Sequence, residues 1–167
     1  NYFLKFKMEI SNFYKYIQLH HDAYSKGDDV RHLRLVDYLA KHPELMGCED
    51  YEFFREAFIK SRRNGKALYG KRFDLIGFSP DLDELVVGEV KVGENIRSGA
   101  RKDFSLGVIS LLKRTRIVGA TSIFISARDE RSALVSRGRV STLSDVDNIA
   151  WHNKRIALPE EYPPLSE

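Results

Sequence analysis

Cysteine and long apolar runs are what the chain has least of. Its 167 residues contain one cysteine, Cys48, which leaves no pair for an internal disulfide bond or for a cysteine-based zinc site. No stretch approaches the roughly 20 apolar residues that a transmembrane helix requires. A chain without a cysteine pair is typical of a reducing compartment, and we expect a cytoplasmic (intracellular) protein without a membrane partner.

The sequence also lacks internal repeats and low-complexity segments, and its composition is that of a globular protein. Hydrophobic residues make up 43% and charged residues 31% of the chain, which is long enough for one core. Three of the five prolines fall in the last nine residues. We therefore predict one domain over residues 1–158 and a loose tail over residues 159–167.

Charge is unevenly distributed along the chain, although the net charge is only +3. Nine acidic residues stand against five basic ones from Asp22 to Glu56, whereas ten basic residues stand against three acidic ones from Arg97 to Arg139. A basic second half suggests an anionic partner. The alternative, a solvated helix face with solvated loops, stays equally open.

Apolar residues in the first part of the chain recur every three or four positions, as on one face of a helix. This spacing predicts helices over residues 1–19, 30–42 and 48–62, the last of them ended by Gly65. Residues 1–47 would form an N-terminal helical part of the domain.

From residue 66 onward the pattern changes to that of strands. We predict strands over residues 66–69, 72–78, 85–92 and 121–127, a helix over residues 103–118, a loop between Arg128 and Arg139, a short helix from Leu143 and a strand near Arg155. This order predicts an α/β fold with a mixed central sheet flanked by helices. Residues 85–92 and 121–127 would be parallel neighbours in a core over residues 48–127, followed by C-terminal elements over residues 128–158.

Three polar residues interrupt the two strands of a predicted hairpin. Asp74 lies in the first strand, and Glu89 and Lys91 lie two residues apart in the second. A loop over residues 79–84 sets a register in which Asp74 stands opposite Glu89, with Cβ atoms about 5 Å apart and Lys91 on the same face. A slip of one residue would send the two acids to opposite faces.

Two carboxylates this close repel each other, and burial among valines raises the cost. A divalent cation would neutralise them, and oxygen ligands favour Mg²⁺ or Mn²⁺. Asp74 and Glu89 would be ligands with the Val90 carbonyl as a third, and Lys91 would orient or activate the attacking water. The alternative is that Glu89 and Lys91 form an exposed cross-strand pair, although the unbroken valines around them favour a strand buried on both faces.

The residues Asp74 and Glu89-Val90-Lys91, placed on adjacent strands, resemble the site of the PD-(D/E)XK nuclease superfamily. The resemblance covers roughly residues 48–127 and implies a restriction-endonuclease-like core and a DNA nuclease that depends on Mg²⁺ or Mn²⁺. Phe73 stands where the family often has proline. Many members carry a glutamate on the helix before the first strand, and Glu56 or Glu52 would fill that place, with Glu56 preferred because it is nearer the strand.

Basic residues after the second strand are candidates for contacts with nucleic acid. Phosphate contacts are expected from Arg97, Arg101 and Lys102, and a second group, Lys113 and Arg114, could extend the track. The alternative is a solvated helix, in which Lys113 and Arg114 complement the helix dipole near its C-terminal end.

Two other functions stay open at this point. The basic residues also suit a nucleic-acid-binding module without catalysis, and the aromatic-rich N-terminal helices suit a protein-interaction domain. The same aromatic residues would serve either a homodimer or packing within the chain.

Overall fold

The computed structural model describes residues 8–19, 30–60, 66 and 72–161. The three α-helices of this part are α1 (Ile10–Tyr14), α2 (Val30–Lys41) and α3 (Ala100–Thr115). Its strands are β1 (Ile17–Leu19), β2 (Glu52–Ile59), β3 (Phe73–Phe78), β4 (Leu85–Val92), β5 (Gly119–Ala127), β6 (Ser132–Ser141) and β7 (His152–Ala157). Short 3₁₀ turns occupy Pro43–Met46 and Val146–Asn148.

The seven strands form one sheet and lie in it in chain order, β1 to β7. Strands β4 and β5 are parallel and joined by α3, while every other neighbouring pair is antiparallel. The predicted α/β fold with a mixed sheet flanked by helices is therefore confirmed, as is the parallel pairing of residues 85–92 with residues 121–127.

Each face of the sheet has its own apolar core. On one face α3 buries Phe104, Val108 and Leu111 against β3 to β6, and on the other α2 buries Leu35, Val36 and Leu39 against β2 to β6. Strand β4 contributes to both cores, because its first four residues are buried. Burial of each side chain of this size stabilises the folded state by roughly 1.5–3 kcal/mol. The two cores therefore stabilise the strands that carry the polar residues.

The helix predicted over residues 48–62 is wrong, because most of this segment is strand β2. Its apolar residues have helical spacing, but the backbone pairs with β3 from Glu52↔Phe78 to Ala57↔Phe73 and with β1. Pairing with two strands distant in sequence outweighs a local pattern of this kind.

The helix predicted over residues 1–19 is also wrong in extent. In the described part, α1 covers only Ile10–Tyr14, and the chain then pairs with β2 as strand β1. Residues 1–7 lie outside the described residues, as does the strand predicted over residues 66–69 apart from Lys66, which has no strand assignment.

The loop predicted between Arg128 and Arg139 is largely strand β6, and β7 confirms the last strand near Arg155. Strand β6 is rich in serine and arginine and contains Gly138, so its alternation of buried residues is not evident in the sequence. The buried residues include Ala133, Val135 and Val140. The short helix predicted from Leu143 is reduced to the 3₁₀ turn Val146–Asn148.

No helix in the described ranges combines the length and apolarity that crossing a membrane demands.

Candidate metal centre

The β3–β4 hairpin has the register that the loop over residues 79–84 predicts. Pairing runs from Phe78↔Leu85 to Leu75↔Gly88, so that the next position places Asp74 beside Glu89. The Ser79 hydroxyl stabilises the turn by accepting the backbone N–H groups of Asp83 and Glu84 at 3.1 and 2.9 Å.

Asp74 and Glu89 share a hydrogen bond in a largely buried position, and their pKa values move apart. Burial and the charge of Asp74 raise the pKa of Glu89 well above its usual range. Burial also opposes ionisation of Asp74, but hydrogen bonds from Glu89, His32 and the Val90 N–H outweigh it and lower the pKa of Asp74. The two opposite shifts favour the state in which Glu89 is protonated and Asp74 is ionised.

His32, in the first turn of α2, completes the surroundings of Asp74, and sequence reasoning missed it. Its Nε2 atom lies 3.2 Å from Asp74 Oδ2 and 3.0 Å from the Val90 carbonyl oxygen. Both atoms are acceptors, so Nε2 carries a proton and donates it. Burial lowers the pKa of His32, but the hydrogen bond and the charge of Asp74 raise it above its ordinary value.

The backbone of Val90 contacts the centre on both sides, while its side chain is buried in the α2 core. The Val90 N–H donates to Asp74 Oδ2 at 2.8 Å. The Val90 carbonyl, predicted as a metal ligand, accepts from His32 instead. The proton on His32 Nε2 thus lies between two acceptors, Asp74 Oδ2 and the Val90 carbonyl oxygen.

Glu56 belongs to the centre, but from a strand and not from a helix. It lies in β2 between the pairs Arg55↔Leu75 and Ala57↔Phe73, which places it alongside Asp74 on the side away from Glu89. Its φ of 50° lies in the left-handed region, which is uncommon for a glutamate. The ligand atoms of His32, Glu56 and Asp74 lie within 4.8 Å of one another, and Glu56 also accepts from Arg72 Nε at 3.0 Å.

The other candidate glutamate, Glu52, lies at the far end of β2, opposite Phe78. It accepts the hydroxyl of Tyr14 at 3.0 Å. The structure therefore separates Glu52 from the centre.

Lys91 is exposed at the mouth of an open cleft of about 860 Å³. It is two residues beyond Glu89 on β4, and its charge opposes the rise of the Glu89 pKa without cancelling it. The cleft is lined by both residues together with Arg31, Arg72, Arg97 and Arg128.

The basic residues proposed for nucleic-acid contacts do not form one track. Arg97 lines the cleft, where it is paired with Asp103. Arg101 lies 4.8 Å from the centroid of the Trp151 ring, and Lys102 pairs with Asp147 at 3.1 Å.

Lys113 and Arg114 lie in the last turn of α3, whereas the cleft is lined by α3 residues of its first two turns, as far as Gly107. At 1.5 Å per residue, Lys113 lies about 9 Å along the helix axis from Gly107. The structure thus brings one of the five predicted residues to the cleft.

The donor set of the centre suits a divalent cation. Carboxylate oxygens from β2, β3 and β4 and one imidazole nitrogen from α2 are ligands that Mg²⁺ and Mn²⁺ accept, with the nitrogen favouring Mn²⁺ over Mg²⁺. The carboxyl groups of the centre favour binding of such an ion, because the ion would replace the proton between Asp74 and Glu89. Comparisons with protein-family models, characterised proteins and solved structures found no match for the chain.

Proposed function

We propose that the chain is a nuclease, dependent on Mg²⁺ or Mn²⁺, with a restriction-endonuclease-like core of the PD-(D/E)XK type. The observation that carries the proposal is the hydrogen-bonded pair of Asp74 and Glu89, partly buried on adjacent strands with Lys91 beside it at an open cleft. Two such carboxyl groups in contact are costly to keep ionised together, which favours a role in binding a cation.

The order of elements around the centre supports the same proposal. Helix α2, strands β2 to β4, α3 and β5 follow one another as helix, three strands, helix and strand. The helix before the first strand is α2, so His32 takes the place in which the resemblance led us to expect Glu56.

The position of each residue indicates a role in metal binding or in catalysis. Asp74, Glu89 and Glu56 would hold the ion, and His32 would either join them or fix the orientation of Asp74. A bound divalent ion would acidify a water molecule and polarise a phosphate group. Lys91, exposed next to Glu89, would orient the attacking water and stabilise the negative charge that develops on the phosphate oxygens.

The decisive experiment is a cleavage assay with linear, branched and single-stranded DNA, and with RNA, in Mg²⁺ or Mn²⁺. We expect Asp74→Asn and Glu89→Gln each to lower the cleavage rate by at least about 100-fold, because each removes a ligand charge. Asp81→Asn is the matched control, since this exposed residue lies in the turn of the same hairpin.

Cleavage at the parental rate by Asp74→Asn or Glu89→Gln would refute the site assignment. Failure of the unaltered protein to cut any of these nucleic acids with either metal would refute the nuclease itself. Metal-independent binding in that case would favour the non-catalytic nucleic-acid-binding module.

A further inference from the structure

The sheet edge farthest from β1 is exposed and carries charge of one sign. Neither β6 nor β7 contains an acidic residue. The first four residues of β7, His152 to Arg155, are all exposed, so that Lys154 and Arg155 project from opposite faces of the edge strand. Among the described residues neither of these two cations makes an ion pair, and Arg155 donates only to the Ser132 hydroxyl, at 3.2 Å.

One row of the sheet connects this edge with the candidate metal centre. Lys91 lies beside Ser126, Ser126 pairs with Leu134, and Leu134 pairs with Arg155. Residues of one row point to the same face, so Arg155 and Lys91 face the same side, three strand spacings or about 14 Å apart. Along the axis of a DNA duplex, that distance corresponds to about four phosphates of one strand, at 3.4 Å of axial rise each.

A third cation is held at the start of β7. Arg101 stacks on Trp151, the residue immediately before the strand. Trp151 packs over Gly138, where an added Cβ would come within 3.0 Å of the indole ring. The guanidinium of Arg101 is thus held near the edge by the aromatic ring and not by an acid.

Acidic residues lie near both ends of β7. Asp129, in the loop before β6, accepts the N–H groups of Arg131 and Ser132 at 2.8 and 3.0 Å. Glu160 and Glu161, after β7, line a separate cleft with Arg31 and Arg34 of α2. The charge of Arg155 also contributes to lowering the pKa of Asp129. Before β7, Asp145 lines a cleft with His152, and Asp147 pairs with Lys102. Among the described residues, Arg101, Lys154 and Arg155 nevertheless make no ion pair with any of these acids.

We propose that Arg101, Lys154 and Arg155, here called the β7 surface, bind the phosphate backbone of a nucleic-acid strand that passes over the exposed β7 edge, from the face of Lys154 to the face of Arg155, and continues across the sheet to Lys91. The inference deepens the proposed nuclease function and rests on it for the nature of the partner. A second copy of the chain fits this edge less well. Pairing β7 with itself would bring its lysines and arginines together, and charged edge residues of this kind oppose such pairing.

Binding of fluorescein-labelled DNA, measured by anisotropy in EDTA so that no cleavage occurs, tests the β7 surface. We expect Lys154→Gln/Arg155→Gln to weaken binding on the order of tenfold and to reduce the salt slope by one to two phosphate contacts. Lys15→Gln/Lys60→Gln is the matched control, since it removes two cations near β1, at the opposite edge. Single-stranded and duplex DNA of one sequence are compared, and polyglutamate is the competitor.

Equal affinities of the two double variants would overturn the proposal, as would polyglutamate competing as well as unlabelled DNA of the same charge. The test separates this inference from the nuclease. If the protein cleaves DNA but the two variants bind alike, the β7 surface is wrong and the nuclease stands. If the protein cleaves nothing but Lys154→Gln/Arg155→Gln alone weakens binding, the surface stands and the nuclease is wrong.

Discussion

Asp74 remains ionised in a largely buried position because donors from two elements converge on it. The N–H group of Val90 comes from β4 and Nε2 of His32 comes from α2. Glu89, from the same strand as Val90, adds the proton that its own raised pKa keeps in place. The two acids therefore behave as one group with a shared proton.

The raised pKa of Glu89 makes a prediction about the stability of the metal-free protein. A folded-state pKa above the ordinary 4.5 means that the contribution of Glu89 is fully present below pH 4.5 and is lost as the pH rises through the folded pKa. Glutamine imitates the protonated acid, so Glu89→Gln should gain stability relative to the parent as the pH rises from 5 to 8, by up to about 1.4 kcal/mol per pH unit. Urea unfolding in EDTA at several pH values measures this gain.

Titration of the neighbouring groups His32 and Asp74 does not account for the expected gain in stability. His32, whose folded pKa is also raised, loses its contribution above pH 6.5 in the parent and in the variant alike. Asp74, whose pKa is lowered, loses its contribution only as the pH falls below 3.8. Asp81→Asn controls for the loss of one acid, and an equal gain in Asp81→Asn would show that Glu89 is not the origin.

Strand β2 is the element on which local pattern and structure disagree most. Its residues Phe54 and Phe58 have the four-residue spacing of a helix face, yet Phe53 packs directly across Gly77 of β3. The ring fills the space above the glycine, since an added Cβ would lie 2.4 Å from a ring carbon. Pairing of an aromatic residue with a glycine across two strands is a feature of sheets and not of helices.

Gly77→Ala should therefore destabilise the protein by about 1–3 kcal/mol through overpacking. The double variant Gly77→Ala/Phe53→Leu should recover part of the loss, because the smaller side chain leaves room for the methyl group. Urea unfolding of both single variants and the double variant gives the coupling energy. Additive effects, with no coupling, would contradict the contact between β2 and β3.

At the scale of the whole molecule, a bound cation should couple α2 to the sheet. His32 comes from α2 while the carboxyl groups come from β2, β3 and β4. A ligand at 100 times its Kd stabilises the folded state by about 2.7 kcal/mol, or roughly 5–10 °C in Tm for a chain of this size.

We expect Mn²⁺ to raise Tm in the parent and to leave Asp74→Asn unchanged. His32→Gln should need about 10–100 times more Mn²⁺ for the same shift. Asp81→Asn should respond like the parent. An identical shift in Asp74→Asn would mean that Mn²⁺ binds elsewhere in the molecule.

Sequence analysis predicted those parts of the site that lie on segments adjacent in the sequence. Asp74, Glu89 and Lys91 belong to one hairpin, whose register follows from a short turn and from the alternation of side chains. The predicted proximity of the three residues is confirmed, while their catalytic roles stay predictions. The resemblance predicts Glu56 from a helix over residues 48–62, whereas the structure places Glu56 in strand β2.

His32 could not be found in the same way, because 42 residues separate it from Asp74. The sequence pointed to His32 only indirectly, because the resemblance implies a glutamate of the site on the helix before the first strand. The helical spacing of the apolar residues in β2 places the predicted helix there and not at α2. The pairings Arg97–Asp103 and Lys102–Asp147 were equally hidden, because a count of charges does not show which partners meet.

The sequence by itself determined the hairpin, the parallel crossover through α3 and the pair of acids with its lysine, because each follows from local periodicity and a short loop. Only the tertiary structure decided that β2 is a strand, that His32 contacts Asp74 and that the exposed cations gather along β7. These features depend on contacts between distant segments, in which burial and strand pairing outweigh the preferences of any single segment.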